Sequence, residues 1–332
     1  MTITAPAALR RQTFDVELRP VLGSRFQPTG FPDIGAATFK RPIQQPDGSV
    51  ILRDDLLVES AQSMANHLES VGWDRARQDQ VPEFAGLPYV RVVTAEGEYL
   101  TSSRTEAHRL AAAFVKDSML DGTGMREVIR ERLGLREDRP LAPRQIAAAV
   151  LALDPLCLVH GVFFAESAKV WPGQPRIARV TTAMIEAQGV QQVVSGGVKR
   201  DDVRHTVSDG GGAAEGYGFV PFHRTEFAAA RVLAGFSIDR AQIASYGLPE
   251  SATAMLLTLA QWEIRALLDR GLRLRTACDL ELAGDVPLPS YEELTEQLRA
   301  GIDASADLLG ERGPLEVVWQ GSKKRAVKGS DA

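Results

Sequence analysis

Residues 195–216 form a polar segment hinged by glycines, and this segment constrains the fold of the chain more than any other. Ser195-Gly196-Gly197 begins it, and Gly210-Gly211-Gly212 lies near its end, with strand-like sequence on both sides. Because glycine permits sharp changes of chain direction, the pattern predicts a protruding hairpin between two strands. Residues 23–33 (GSRFQPTGFPD) form a second excursion after an N-terminal strand. Its glycines, prolines and two phenylalanines predict an ordered loop.

Apolar and charged residues alternate near both ends of the chain, which is the period of half-buried strands. Phe14, Val16 and Leu18 alternate with charged residues and predict the first strand. The same alternation over residues 272–282 predicts one strand. Leu156–Phe164 is a continuous apolar run and predicts a buried strand. Further strands are predicted at residues 87–93, around Thr181, around Val193 and at 216–222.

Helices are predicted where apolar residues recur at helical spacing beside capping residues. Leu57 to Val71 has this spacing, with Asp54 or Asp55 as the N-cap. Two capping-box pairs, Ser103 with Glu106 and Ser290 with Glu293, predict two more helices. The first of these helices would have a buried face made of Ala107, Leu110, Ala111 and Phe114. Other helices are predicted around residues 125–133 and at 256–270, the latter ended by Gly271.

Strands and helices interleave irregularly, with two long excursions between strands. This pattern favours an α+β sheet fold with large insertions over a doubly wound parallel sheet. Residues 1–315 are predicted to form one elaborated domain, with a charged insertion at about 116–145 and the protruding hairpin at about 195–216. Residues 316–332 are predicted to hold the end of a C-terminal strand and a loose basic tail.

The overall charge limits the classes of function. The 332 residues include 38 Lys and Arg against 43 Asp and Glu, a formal charge of −5. This charge counts against a protein that coats nucleic acid with its entire surface, but it permits a local basic groove. No stretch has the roughly 18–20 uninterrupted apolar residues of a membrane span, and two isolated cysteines, Cys157 and Cys278, fit a reducing compartment. We therefore expect a cytoplasmic protein without a membrane partner.

Motifs of established chemistry are missing from the sequence. The five histidines show no zinc-ligand spacing, and there is neither a Walker loop nor a Gly-x-Ser-x-Gly elbow. We therefore expect no bound metal, no cofactor and no catalytic residue. His160, in an apolar run, is interpreted as a core histidine. Asp33, at the tip of the first glycine-rich loop, is the one acid kept as a catalytic candidate, and its alternative role is that of a turn residue.

Cationic and polar residues near the glycine-shaped segments indicate RNA binding. Arg25 and Phe26 are candidates because arginine forks onto phosphate oxygens and an aromatic ring offers a stacking face to an unpaired base. The alternative is a structural phenylalanine beside a surface arginine. Ser63 and Asn66, on the polar side of the following helix, suit phosphate or sugar contacts, although a solvated helix face has the same composition. The other basic candidates are Lys169, Arg176, Arg179, Lys199, Arg200, Arg204, His205 and Arg224.

Four stretches of the sequence, taken in order, resemble one known family. They are residues 23–33 (GSRFQPTGFPD), 57–66 (LVESAQSMAN), 154–164 (DPLCLVHGVFF) and 211–226 (GGAAEGYGFVPFHRTE). Together they resemble the backbone subunits of type I-U, also called I-G, CRISPR Cascade complexes. The likeness runs from about residue 10 to about residue 310, and it leaves out the basic tail and residues 116–145.

The resemblance implies an RNA-recognition-motif-like, ferredoxin-type palm of the RAMP superfamily with a projecting thumb hairpin. Copies of a non-catalytic subunit would form a filament on the guide RNA (crRNA), beside other Cascade subunits. The thumb would push out bases at regular intervals and leave the rest of the guide to pair with target DNA. The resemblance places Ser24, Arg25, Phe26 and Gln27 at the palm, Ser63 and Asn66 on the adjacent helix, and Val198–Val207 in the thumb.

Two other functions stay open at this point. Related RAMP subunits of type III complexes cleave target RNA with an acidic loop residue and a divalent metal, which would make Asp33 the catalytic residue of an endoribonuclease. The second alternative is a small-molecule α/β enzyme unrelated to CRISPR. RNA of defined length that co-purifies with the protein would argue against this second alternative.

Overall fold

The computed structural model describes residues 10–31, 35–199, 202–203 and 220–321, and it confirms a mixed α+β fold. Its strands, in chain order, are β1 (Arg11–Pro20), β2 (Arg25–Phe26), β3 (Gly30–Phe31), β4 (Gly35–Ala36), β5 (Thr38–Gln44), β6 (Val50–Glu59), β7 (Trp73–Asp74), β8 (Asp79–Gln80), β9 (Tyr89–Val93), β10 (Tyr99–Ser102), β11 (Ser118–Leu120), β12 (Thr123–Gly124), β13 (Val162–Phe163), β14 (Arg176–Ile177), β15 (Thr181–Lys199), β16 (Val220–Asp239), β17 (Leu272–Arg275), β18 (Cys278–Leu282) and β19 (Pro314–Trp319). Its α-helices are α1 (Ala61–Ser70), α2 (Ala113–Lys116), α3 (Met125–Arg132), α4 (Pro143–Leu153), α5 (Leu156–His160), α6 (Arg240–Ser245), α7 (Glu250–Arg270) and α8 (Tyr291–Ala304).

An antiparallel sheet of eight strands forms the larger layer, in the order β17-β18-β1-β16-β15-β6-β5 with β2 paired to β16. The predicted N-terminal strand lies near its middle, where Val16 and Leu18 are buried. Phe14 stacks on Phe236 of β16, with 5.4 Å between the ring centroids. A second sheet, β10-β9-β19-β11-β12, contains one parallel pair, β9 with β19. Residues 116–145, predicted as an insertion, supply β11 and β12 to this second sheet.

The two long helices near the C-terminus confirm the predictions made from their caps. Gly271 ends α7 with a φ of 81°, a conformation that favours glycine. At the start of α8, the Ser290 hydroxyl accepts from the Glu293 amide at 3.2 Å, and the Glu293 carboxylate accepts from the Ser290 amide at 2.9 Å. Trp262 Nε1 of α7 donates to Thr295 of α8 at 2.9 Å and joins the helices. None of the helices in the described ranges has the length and apolar content to cross a membrane.

The helix predicted from Leu57 begins later, because strand pairing overrides the local spacing. Residues 50–59 form β6, which pairs with β5 and β15. The helix α1 therefore starts at Ala61, and Ser60 caps it by accepting a hydrogen bond from the Ser63 amide at 3.3 Å. Asp55, one of the predicted caps, instead accepts a hydrogen bond from the Gly189 amide of β15 at 2.9 Å.

The helix predicted after Ser103 does not begin there: residues 103–108 form turns, and helical structure starts only with a 3₁₀ turn at Arg109–Ala111, followed by α2. The Ser103 hydroxyl donates to the buried Asp154 carboxylate at 2.6 Å, a distant partner that the capping-box pattern does not contain. Leu110 is buried as predicted, whereas Ala107 is exposed.

Four predicted strands also differ. The apolar run Leu156–Phe164 forms α5 and then β13, because Asp154 accepts from the Leu156 amide at 3.1 Å and starts a helical turn. Periodicity cannot distinguish a buried helix from a buried strand in so short a run. Residues 272–282 fold back on themselves as the hairpin β17–β18. The two strands predicted around Thr181 and Val193 are the single strand β15.

The strands β15 and β16 extend beyond the rest of the sheet as a two-stranded ribbon. Their pairing runs from Thr181 opposite Ile238 to Lys199 opposite Val220. The neighbouring strand β6 pairs only with residues 185–188 of β15, and β2 reaches only residues 227–228 of β16. From Val194 to Lys199, β15 therefore pairs only with β16. Residues 200, 201 and 204–219, which hold most of the predicted hairpin, lie outside the described residues.

One edge of the large sheet is β5, and the other is β17. Pro42 lies near the centre of β5, opposite Leu52 of β6. Lys40 pairs with Asp54 at 2.7 Å, and Arg41 pairs with the buried Asp55. This edge therefore carries a residue without an amide hydrogen directly after two charged side chains.

Candidate nucleic-acid interface

The first predicted RNA contacts lie on the connection between β1 and β2. Ser24 and Arg25 are exposed there. Phe26 is only 1% exposed, because β2 pairs with β16 and sets Phe26 opposite Phe227 in the core. The structure therefore contradicts the predicted stacking of a base on the Phe26 ring and agrees with the alternative, a structural phenylalanine beside a surface arginine.

A buried ion pair holds this connection against the sheet. The Glu59 carboxylate, 1% exposed at the end of β6, pairs with the Arg275 guanidinium of β17. The same guanidinium donates to the Gln27 carbonyl oxygen at 3.0 Å, and the Gln27 amide donates to the Ala277 carbonyl oxygen at 2.7 Å. Because a buried carboxylate needs a cationic partner, Glu59 fixes Arg275, and Arg275 fixes the backbone that follows Arg25.

The same connection contacts the base of the β15–β16 ribbon. Arg25 Nη1 lies 3.5 Å from Glu226 Oε2, and the Ser195 hydroxyl donates to that oxygen at 2.8 Å. Arg224 lies over the Phe222 ring, 4.9 Å from its centroid. A groove at this junction is lined by Gln27, Thr29, His223, Arg224 and Arg275, among others. Arg25, Gln27 and Arg224 therefore lie at one junction between loop and ribbon, and Ser24 precedes Arg25 on the loop.

The polar face of α1 gains a cation from the chain before β15. Arg179 donates to the backbone at the start of α1 and to Gln62 Oε1, each at 3.3 Å. Asn66 is exposed on the helix, and Ser63 is half-buried. Burial and the neighbouring Arg109 guanidinium lower the pKa of Arg179, but an arginine stays charged at neutral pH. The α1 surface thus combines short polar donors with a fixed positive charge.

The remaining predicted cations lie elsewhere. Arg176 covers the Phe163 ring at 4.3 Å from its centroid. Lys169 is exposed, and its carbonyl oxygen accepts from Arg130 at 3.3 Å. Lys199 is exposed at the end of β15. Three cations of the predicted thumb and the catalytic candidate lie outside the described residues, namely Arg200, Arg204, His205 and Asp33.

The sequence gives only a weak indication of the buried charges beneath α1, which is that the charged residues lie inside apolar runs. His160 Nε2 lies 2.9 Å from Glu263 Oε2, and both side chains are fully buried. Burial disfavours the charged imidazole, but the Glu263 and Glu69 carboxylates raise the pKa of His160 above its ordinary value. Glu69 in turn accepts two hydrogen bonds from Arg109, at 2.5 and 2.8 Å. Within the described ranges, no group of three or more His, Cys, Asp or Glu residues could hold a metal ion.

Comparison with known proteins gives one family. The sequence model of a family described as CRISPR-associated protein GSU0053 matches residues 13–192, more than half of the chain. A solved structure titled "CRISPR RNA-guided surveillance complex, pre-nicking" is 11% identical over 90% of this chain and 88% of that chain, with a TM-score of 0.34. No curated protein matches the sequence.

Proposed function

Because this chain belongs to the family of CRISPR-associated protein GSU0053, we propose that it is a non-catalytic backbone subunit that holds the guide RNA of a Cascade complex. The observation that carries the proposal is the junction where the β1–β2 connection meets the β15–β16 ribbon. There the half-exposed Arg25 lies beside the groove residues Gln27 and Arg224, and the exposed Ser24 precedes Arg25 in the chain. Such a surface suits the sugar–phosphate chain of a single strand.

The chemistry of this surface fits a subunit that must accept any guide sequence. Arginine and short polar side chains bind phosphates and sugars without reading base edges. In the proposal, the large antiparallel sheet is the RNA-recognition-motif-like palm and the ribbon is the base of the thumb. The guide would stay open on its other side to pair with target DNA.

The proposed assembly places copies of the chain side by side along the guide, next to other Cascade subunits. Head-to-tail repetition of one interface does not close, so it produces a helical filament. The formal charge of −5 is compatible with this arrangement if acidic faces of one copy meet basic faces of the next.

Reconstitution tests the proposal directly. The full chain is produced with a CRISPR transcript and its companion proteins, and the purified particle is examined for RNA. We expect RNA of a defined length, with a regular nuclease footprint. A particle free of polynucleotide would overturn the proposal. Regular magnesium-dependent cleavage of complementary RNA, abolished by Asp33→Ala, would overturn its non-catalytic part.

Arg25→Ala should weaken RNA binding with little effect on stability. Loss of one phosphate contact should reduce the slope of log affinity against log salt concentration by about 0.7. Arg25 is 52% exposed and Glu226 only 12%, but Glu226 keeps its hydrogen bond from Ser195, so the free energy of unfolding should fall by about 1 kcal/mol or less. Salt titrations of RNA binding and denaturant unfolding measure the two quantities. Arg19→Ala is the control, since Arg19 is also an exposed arginine, 66% exposed in β1, and pairs with Glu281 at 2.8 Å. An equal loss in both variants would contradict the assignment.

A further inference from the structure

A second surface lies next to Asn66, one of the predicted RNA contacts, at the C-terminal end of α1. The helix α1 stops at Ser70, and β7 places Trp73 beside it. Asn66, Ser70, Trp73, Arg75 and Thr105 line one groove. Trp73 is half-buried, so part of its indole is accessible. The groove therefore joins an aromatic ring to a helix face that already carries polar donors.

The packing around Trp73 holds the indole in a defined position. Its ring contacts Tyr89 edge-on at 5.7 Å and Tyr99 at 6.0 Å with a 30° tilt, measured between centroids. Tyr89 is buried and donates to Asp79 at 2.8 Å, and burial together with that carboxylate raises the pKa of Tyr89 to about 12. The Arg91 guanidinium covers the Tyr99 ring at 4.7 Å. A ring held in this way loses little entropy when a base stacks on it.

The loop after Trp73 is positively charged. Arg75 and Arg77 are exposed, and neither has a carboxylate within ion-pair distance in the described part of the chain. Asp74, which lies before both, is occupied by hydrogen bonds from the amides of Ala76 at 2.9 Å and Arg77 at 3.2 Å. The aspartate thus shapes the turn that presents the two guanidinium groups.

Two acidic groups, Glu69 and Glu106, also line the groove. The Arg109 guanidinium donates two hydrogen bonds to Glu69 and balances its charge, whereas Glu106 accepts only from the Thr101 hydroxyl, at 2.6 Å. The positive charge that would attract an anionic partner therefore comes from Arg75 in the groove and Arg77 on the adjoining loop.

We propose that this groove binds an unpaired nucleotide of a single strand, with its base on Trp73 and its flanking phosphates at Arg75 and Arg77. The inference rests on the proposed function and extends the nucleic-acid path from Asn66 past the end of α1. Paired phosphate-binding cations and an accessible aromatic ring are the combination that single-strand binding proteins use. Both an RNA guide and a DNA strand carry that chemistry, so the experiment compares the two.

The fluorescence of Trp73 reports the contact in the full chain. Trp171 and Trp262 are at most 1% exposed, while Trp73 and Trp319 are half-buried. Stacking of a base on an indole quenches its emission. We expect oligouridylate or oligothymidylate to quench the wild type, Trp73→Phe to lose most of this quenching, and the matched control Trp319→Phe to retain it. Equal quenching in Trp73→Phe and the wild type would overturn the inference.

Affinity gives a second and independent measure. Trp73→Ala should bind the strand about fivefold to 150-fold more weakly, because stacking on one aromatic ring contributes about 1–3 kcal/mol per base. The double variant Arg75→Ala/Arg77→Ala, on an exposed loop, should reduce the salt slope by about 1.4 for two phosphates. Arg299→Ala, an exposed cation on α8, is the control and should leave the slope unchanged. A stronger loss with uridylate would identify the guide as the ligand, and a stronger loss with thymidylate would identify a DNA strand.

Failure of this inference is distinguishable from failure of the proposed function. A wild type that binds neither RNA nor DNA single strands would remove the proposed function and the groove with it. If the wild type binds and the Trp73 and Arg75/Arg77 variants bind equally well, only the groove assignment is lost. Variants that keep their RNA affinity but no longer retain a companion subunit would show a protein-binding surface and overturn the nucleotide assignment.

Discussion

Arg275→Ala is expected to lower the free energy of unfolding by about 3 kcal/mol, since removal of one partner leaves a buried charge uncompensated. The charge is the Glu59 carboxylate, which is 1% exposed. The Gln27 carbonyl oxygen would also lose its donor, so the β1–β2 connection would be less fixed and RNA affinity would decrease as well. Denaturant unfolding and RNA titration of the same preparation measure both effects.

A double-mutant cycle separates the buried charge from the lost packing. Arg275→Met combined with Glu59→Gln removes both charges and should recover much of the stability that Arg275→Met alone loses. RNA affinity should not recover, because the Gln27 carbonyl oxygen still lacks its donor. Arg273→Ala, an exposed cation on the same strand, should be close to the wild type in both measurements. Equal stability of the single and double variants would show that Glu59 does not depend on Arg275.

Excision of the outer ribbon should abolish the regular protection of the guide while the rest of the chain stays folded. Val194 and Thr225 are register partners, so residues 195–224 can be replaced by Asn-Gly, a two-residue turn suited to a hairpin. If the four removed cations Lys199, Arg200, Arg204 and Arg224 each neutralise one phosphate, the salt slope should fall by about 2.8. Nuclease footprinting and thermal unfolding are the measurements.

A charge variant separates the ribbon's shape from its cations. Replacement of the same four residues by glutamine keeps the hairpin and removes its charge. We expect weaker binding from this variant but a footprint with its regular spacing retained. An unchanged footprint in the excised protein would remove the thumb from the proposed function.

Local patterns in the sequence predicted the elements that depend on local chemistry. The strand at Phe14–Leu18 alternates because one face packs on the core, and the end of α7 at Gly271 follows from the left-handed conformation there. The capping box at Ser290 is likewise complete within four residues. In these cases every interacting group lies within one element or its flanks, so the pattern contains the physical cause.

Elements and contacts that depend on distant partners could not be found in this way. The helical spacing begins at Leu57, but Leu57 lies in β6, which pairs with β5 and β15. The sequence predicts an exposed Phe26 ring, because no residue near Phe26 in the chain indicates that β16 covers it. The Glu59–Arg275 pair joins residues 216 positions apart, and its only local signal is a carboxylate at a buried position of a strand. Trp73 gave no sign of a binding surface, because the rings that hold it come from β9 and β10.

Pro42 disfavours the pairing of a further strand with β5, at one edge of the large sheet. In the proposed filament, copies of the chain stand at very high local concentration, where an open strand edge would recruit another and lead to continuous sheets and precipitation. Pro42 has no amide hydrogen, and it follows Lys40 and Arg41, so the strand edge offers such a neighbour an incomplete set of hydrogen bonds. At this edge copies would then join through side-chain surfaces, whose shape sets a repeatable step from one subunit to the next.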